Sequence, residues 1–108
     1  MSGGAAEPSA RNDLLIEGRI VERDSLRYTP AGIPIVRAML AHSSEQAEAG
    51  GTRQVEVELA CVAVEEDARL LAQAPIGVAV RVAGFLTRKS RTSRQLVLHA
   101  TRIEFLSR

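Results

Sequence analysis

Alternation of apolar and polar residues divides most of the chain into short extended segments. The alternation has a period of two, the spacing at which successive β-strand side chains point to opposite faces. It covers residues 14–21, 35–42, 53–61 and 78–83 and resumes at Leu96. The pattern therefore predicts five β-strands.

The third of these segments has the clearest alternation. Glu56 and Glu58 would face water there, as on an antiparallel sheet with one wet face. The residues predicted to face the core are Val55, Val57, Leu59 and Cys61.

Two irregularities interrupt the predicted strands. Gly18 lies in the middle of the first strand, which predicts a bulge or a sharp coil where the sheet bends. In the last strand the apolar phase changes, because Ile103 and Phe105 have the opposite parity to Leu98. A bulge near Thr101 would reconcile the two halves of that strand.

The connections carry turn and helix signals. Pro30 and Gly32 predict a turn within residues 29–34. Residues 43–52 hold no large apolar side chain and predict a mobile connection. Residues 65–67, three consecutive acids, suit the positive end of a short helix that would end before Pro75.

Composition fits one small domain. The chain has 108 residues, 45% of them hydrophobic but only 3% aromatic, so a core of valine, leucine, isoleucine and alanine is expected. Residues 1–11 are small and polar and predict a flexible N-terminal tail, which leaves residues 12–108 as the folded domain.

Positive charge is concentrated in one place although the formal net charge is only +1. Residues 88–94, between the fourth and fifth strands, contain four cations, no acid and otherwise only small polar side chains. We call this segment the cationic tip; its cations are Arg88, Lys89, Arg91 and Arg94. A tip of this kind can contact a phosphate backbone, although a polar hairpin end is equally compatible with simple solvation.

Five strands with a short helix between the third and fourth predict an all-β, Greek-key barrel of the OB-fold type. Its ligand face is framed by the loop after the first strand and the loop after the fourth. Here these are residues 27–34 and the cationic tip, and both carry positive charge. The agreement favours nucleic-acid binding, while another five-stranded barrel stays possible.

Other chemistry has little support in the sequence. Cys61 is the only cysteine, so an intramolecular disulfide is excluded and no zinc-ligand spacing exists. His42 and His99 lack catalytic companions and are expected to be structural. The chain also lacks a signal peptide and a membrane span, so we expect a cytoplasmic protein that is not an enzyme and uses no metal, cofactor or small-molecule substrate.

Several strings in order resemble the primosomal replication protein N (PriB) family. They lie at residues 29–34, 42–43, 48–50, 84–85, 96–100 and 103–104, and the likeness extends over residues 12–106. The resemblance implies a homodimeric OB-fold protein that binds single-stranded DNA in the primosome, where it contacts the PriA helicase during replication restart.

The related single-stranded DNA-binding proteins are the nearest competing family. Those usually end in an acidic tail, whereas this sequence ends soon after its last predicted strand. That difference favours the primosomal family as an expectation.

Binding of single strands without sequence preference needs cations along the backbone and flat side chains for stacking. Tyr28 is the best stacking candidate, although packing over the barrel mouth is nearly as good an explanation. Phe85 and Phe105 are expected in the core. The full set of candidate nucleic-acid-binding residues is Arg27, Tyr28, Arg37, Arg53, Arg88, Lys89, Arg91 and Arg94. For Arg37 and Arg53, pairing with a neighbouring carboxylate is an equal alternative.

The sequence departs from the family where two DNA contacts would be expected. An aromatic residue of the third strand falls here at about Glu56, and a basic position after the second strand falls at Ser43. Binding of single-stranded DNA should therefore be weaker than in family members that keep these two residues, and it should depend more on charge. The alternatives are an interaction adaptor for which DNA is incidental, suggested by Glu56 and Glu58, and a general single-stranded DNA-binding protein. A dimer would pair first strands edge to edge and cover Leu15 and Val21.

Overall fold

The computed structural model describes residues 10–106. Within them it contains six strands and one helix: β1 (Leu14–Arg23), β2 (Arg27–Tyr28), β3 (Pro34–Glu48), β4 (Gly51–Val64), α1 (Glu65–Ala72), β5 (Ala79–Arg88) and β6 (Leu96–Phe105). The tail predicted for residues 1–11 lies outside the described residues, apart from its last two. No helix within residues 10–106 has the length and apolar character needed to cross a bilayer.

Five of the strands close into a barrel, as the alternation predicted. The strand order is β1-β5-β6-β4-β3-β2, and an additional pairing of β1 with β3 closes the sheet. All pairs are antiparallel except β4 with β6, which run parallel. Only β2 was not predicted; its two residues pair with β3 beside the turn at residues 29–34.

β1 closes the barrel because it pairs with β5 along its first half and with β3 along its second half. The pairing with β5 runs from Leu14 to Arg19, and the pairing with β3 runs from Arg19 to Arg23. The register shift lies after Ile20 rather than at Gly18. Gly18 instead marks the close approach of β3, since a Cβ there would lie 2.4 Å from the Ala41 carbonyl oxygen.

The connection predicted to be mobile at residues 43–52 is a β-hairpin instead, so that prediction is wrong. β3 and β4 pair without interruption from Ile35 with Val64 to Glu48 with Gly51. The turn consists of Ala49 and Gly50, with φ of 53° and 81°, the left-handed values of a two-residue hairpin turn. Polar and small side chains suit this ribbon because its outer residues are exposed to solvent.

The same extension explains a second wrong prediction. Val57 was expected in the core but is 42% exposed, and Val55 is only half-buried. Leu59 is half-buried and Cys61 is buried, because only the second half of β4 lines the barrel. Alternation identifies a strand correctly but does not tell how much of it the core covers.

The predicted helix and bulge are both confirmed. α1 has eight residues, begins with three acids and buries Ala68 and Leu71 against the barrel. In the β5–β6 hairpin, Ala83 pairs with Arg102 and Gly84 pairs with Ala100, so Thr101 is the extra residue. The core is aliphatic; its largest buried side chains are Ile20, Leu40, Leu71, Leu98, Val36, Val80 and Val82.

Candidate nucleic-acid interface

A groove of about 530 Å³ runs over the outside of the barrel between the end of β1 and the cationic tip. Its floor comes from β3, β4 and β6, and includes Met39, Ala60 and Val97. Asp24 borders it at the β1 end and Lys89 at the tip end. The end of β1 and the cationic tip therefore stand at opposite sides of one groove.

The backbone of the cationic tip is held by its own hydrogen bonds. The Lys89 amide donates to the Gln95 carbonyl oxygen at 2.9 Å, and the Ser93 amide donates to the Ser90 carbonyl oxygen at 3.2 Å. The Gln95 amide also donates to the Ser93 hydroxyl at 3.0 Å. These bonds fix the hairpin end, so its side chains project from an ordered base.

All four cations of the tip are exposed: Arg88, Lys89, Arg91 and Arg94. None of them takes part in the ion pairs formed among residues 10–106. Of the four, only Lys89 borders the groove itself. The tip thus places a group of cations beside one end of the groove.

Charge inside the groove is balanced, in contrast to the tip. Its lining holds three basic and three acidic side chains: Arg23, Arg37, Lys89, Glu22, Asp24 and Glu58. Arg23 is also held by a hydrogen bond within the protein, since its Nε donates to the Ala74 carbonyl oxygen at 2.9 Å. Net attraction for an anionic strand must therefore come mainly from the tip.

The first loop contributes less than the sequence suggested. Arg27 forms an ion pair with Asp24 at 2.8 Å, so its charge is partly neutralised. Tyr28 is 58% exposed. Neither side chain lines the groove, although both lie in β2 next to its Asp24 border. Gly32 has the positive φ, 83°, that the turn signal predicted.

Arg37 and Arg53 lie on opposite faces of the β3–β4 ribbon. Arg37 pairs with Val62 and lines the groove, and it belongs to none of the ion pairs in the described part of the chain. Arg53 pairs in register with Gln46, on the other face, and forms an ion pair with Glu48. Only Arg37 is therefore placed to extend the basic track.

Two acids share the face of Arg37. Glu56 is opposite Ser43, and Glu58 is opposite Ala41, at alternate register positions of the same ribbon. Both glutamates are exposed, and Glu58 borders the groove. Their position opposes a phosphate backbone along the outer part of β4, so a bound strand would be displaced toward the tip.

The core assignment of the two phenylalanines is wrong. Phe85 is 41% exposed and Phe105 is 42% exposed. The Phe85 ring stacks on the ring of His99, with centroids 5.2 Å apart and planes 9° from parallel. Parity could have revealed the position of Phe85, because it shares a face of β5 with Arg81 and Thr87 rather than with the buried Val82.

His42 is held by hydrogen bonds and Cys61 is buried in the core. His42 Nδ1 lies 2.7 Å from the Glu17 carbonyl oxygen and His42 Nε2 lies 2.8 Å from the Ser44 hydroxyl. Burial raises the pKa of the Cys61 thiol to about 11, which keeps it protonated. Over residues 10–106, histidine, cysteine and acidic side chains form no cluster that could hold a metal ion.

A second cavity, of about 620 Å³, adjoins the groove, and Glu58 lines both. No residue of the cationic tip lines this cavity. It separates the first half of β1 from the outer part of the β3–β4 ribbon and is lined by Gly18, Val21, His42 and Val57, among others. Above it the outer edge of β1 is open, since β3 pairs with β1 only from Arg19 onward.

Comparison with known proteins gives consistent results. Residues 12–102 match the model of a family described as another single-strand binding protein family. The chain is 43% identical over 89 residues to the replication restart protein PriB of Nitrosomonas europaea, covering 82% of each protein. It is 40% identical over 88 residues to the protein of that name from Bordetella pertussis, again covering 82% of each.

A solved structure of a related protein has the same architecture. The PriB protein of Ralstonia solanacearum superposes with a TM-score of 0.81 at 35% identity, covering 91% of this chain and 100% of that one.

Proposed function

Because the chain belongs to the replication restart protein PriB family, within a single-strand binding protein family, we propose that it binds single-stranded DNA during replication restart. The cationic tip holds the phosphate backbone, and the groove beside it receives the strand. One observation carries the assignment: the tip presents four exposed cations, free of ion pairs among residues 10–106, at the end of a groove on the ligand face of an OB-fold.

The binding is mainly electrostatic in this proposal. Arg37 and Lys89 extend the track into the groove, Arg27 and Tyr28 flank its far end, and Arg53 contributes little because it faces away. Each phosphate neutralised on a single strand adds about −0.7 to the slope of log affinity against log salt concentration. Affinity should therefore fall steeply as salt rises.

The proposal extends to the assembly in which the protein works. In this proposal the protein acts in the cytoplasm as a homodimer and hands single-stranded DNA to the PriA helicase. No catalytic step is assigned to the chain. The open edge of β1 supports the dimer, because the exposed Leu15 and Val21 lie on that strand.

The test compares two triple variants that change charge equally. Arg88→Ala/Lys89→Ala/Arg91→Ala removes three tip cations; Arg11→Ala/Arg69→Ala/Arg102→Ala removes three arginines that pair with exposed acids elsewhere. Both change the formal net charge from +1 to −2. We expect the tip variant to lose at least about tenfold in affinity for labelled oligo-dT and its salt slope to become shallower by about 2, with the control near wild type.

Helicase binding, measured in parallel, separates the alternatives. Glu56 and Glu58 on the groove face favour a protein-interaction adaptor as the second candidate. Loss of helicase binding with intact DNA binding in the tip variant would support the adaptor, and DNA binding without any helicase binding would support a general single-stranded DNA-binding protein. Equal DNA affinities for the two triple variants would refute the role of the tip.

A further inference from the structure

The stacked pair of Phe85 and His99 belongs neither to the lining of the groove nor to the cationic tip. The two residues are direct cross-strand partners of β5 and β6, and their rings stand on the outer face of the sheet. Phe85 is 41% exposed, so part of its apolar surface is in contact with water. A ligand that covers this surface would gain free energy from its burial. Stacking on His99 holds the Phe85 ring in one orientation and so lowers the ordering cost of a further contact.

The pair is in register with Arg37 of the groove, although neither ring lines the groove. Arg37 is opposite Val62, Val62 is beside His99, and His99 is opposite Phe85, so four residues form one row across neighbouring strands. Strands are about 4.8 Å apart, which places the start and end of the row about 15 Å from each other. Arg37 lines the groove, and Phe85 marks the far end of the row.

The cationic tip lies above the same face. Side chains alternate along β5, so Phe85, Thr87 and Lys89 share one side of the hairpin. Lys89 borders the groove and is exposed. A phosphate held by Lys89 would leave the adjoining base free to turn toward the ring of Phe85.

We propose that Phe85 and His99 form a base-stacking site, on which an unpaired base of single-stranded DNA stacks as the strand passes the tip. The ligand is a nucleobase of any sequence, since every base presents a flat π-face. This inference rests on the proposed function. It supplies a stacking contact that Glu56, on β4, cannot make, and it directs the strand over β6 and β5, away from the acids of β4.

A single introduced tryptophan provides a direct measurement, because the chain contains none. Phe85→Trp keeps a flat ring at the site and should bind oligo-dT within about twofold of wild type, with its fluorescence quenched on saturation. Phe105→Trp is the matched control, since Phe105 is equally exposed but lies about 20 Å farther along β6. Its fluorescence should not respond to oligo-dT.

Replacement of the Phe85 ring by an aliphatic side chain measures how much stacking contributes to the affinity for oligo-dT. Phe85→Leu should weaken oligo-dT binding about tenfold and leave the salt slope unchanged, because no charge is lost. Phe105→Leu should bind as wild type does. Thermal unfolding of both variants verifies that each is folded at the temperature of the titration.

The outcomes separate this inference from the function on which it rests. Unquenched tryptophan fluorescence in Phe85→Trp, together with wild-type affinity of Phe85→Leu, would overturn the stacking site while DNA binding by the tip remained. Failure of the wild-type protein to bind oligo-dT at low salt would overturn both. Equal losses in Phe85→Leu and Phe105→Leu would also refute the site, because the effect would not depend on position.

Discussion

Gly84 marks a close approach of β5 to the backbone of β6. It lies beside the register shift at Thr101, and a Cβ added to it would be 1.8 Å from the His99 carbonyl oxygen. The obstacle is backbone, which cannot move aside as a flexible side chain can. Any side chain at this position must push the two strands apart and disrupt the hairpin that carries the tip.

We therefore expect Gly84→Ala to lower the free energy of unfolding by about 3 kcal/mol. The matched control is Gly51→Ala, because the nearest atom to a Cβ at Gly51 is 4.0 Å away and its φ is not left-handed. That variant should stay within about 1 kcal/mol of wild type. Urea unfolding followed by circular dichroism measures the free energy of unfolding of both variants. Equal values would show that β6 can shift away from Gly84→Ala without loss of stability.

Individual side chains were harder to predict than the strands that carry them. The positions of the tip cations follow from the sequence, because a run of charges between two apolar strands has no place to be buried. Ion pairing does not follow in the same way: Arg27 and Arg53 find carboxylates, whereas Arg37 finds none among residues 10–106. Such pairing depends on which residues the fold brings opposite each other.

At the scale of the element, the β3–β4 hairpin contains a residue in an unfavourable conformation. Ala49 has φ of 53°, a left-handed value that costs a residue with a Cβ about 1 kcal/mol. Asparagine followed by glycine is the preferred pair in such two-residue turns, and Gly50 already follows. The turn is formed although its first residue is not the one that local preference would select.

Ala49→Asn should therefore raise the free energy of unfolding by about 0.5 to 1 kcal/mol. Ala47→Asn is the control; Ala47 is also exposed but lies in the strand, where asparagine is unfavourable. It should be neutral or slightly destabilising. Thermal unfolding of the two variants is the measurement, and a stabilisation of equal size in both would contradict the role of the turn.

The same hairpin shows the limit of prediction from pattern. Alternation, turn residues and the acids of α1 predicted five strands, the helix and the bulge at Thr101, since each is set by local sequence. The outer part of the β3–β4 ribbon lacks large apolar residues, so it resembles a loop in the sequence. Its strand pairing depends on backbone hydrogen bonds, which leave no trace in hydrophobic periodicity.

At the scale of the whole molecule, the surface has two neighbouring concave regions that share Glu58. One is the groove beside the cationic tip, and the other is the cavity beside the first half of β1, which no residue of the tip lines. In the proposed function, DNA binding uses the groove and the tip, whereas dimerisation uses the open edge of β1. A variant at that edge therefore tests whether dimerisation and DNA binding are separable.

Leu15 offers the means to separate them. It is 66% exposed, and it lies on the half of β1 that β3 leaves unpaired. If two copies join through this edge and cover Leu15, Leu15→Lys brings two like charges together and buries them unpaired in the junction. We expect the wild-type protein to sediment as a dimer at micromolar concentration and Leu15→Lys to sediment as a monomer, at least about tenfold weaker in association.

Ile76→Lys is the control for this change. Ile76 is 59% exposed, but it follows α1 and lies off β1. Its variant should remain a dimer, because adding a charge away from the edge does not affect strand pairing. A wild-type protein that sediments as a monomer would refute the edge-to-edge dimer, and dissociation of both lysine variants would move the contact away from β1. Retained oligo-dT binding by monomeric Leu15→Lys would place each DNA contact within a single barrel.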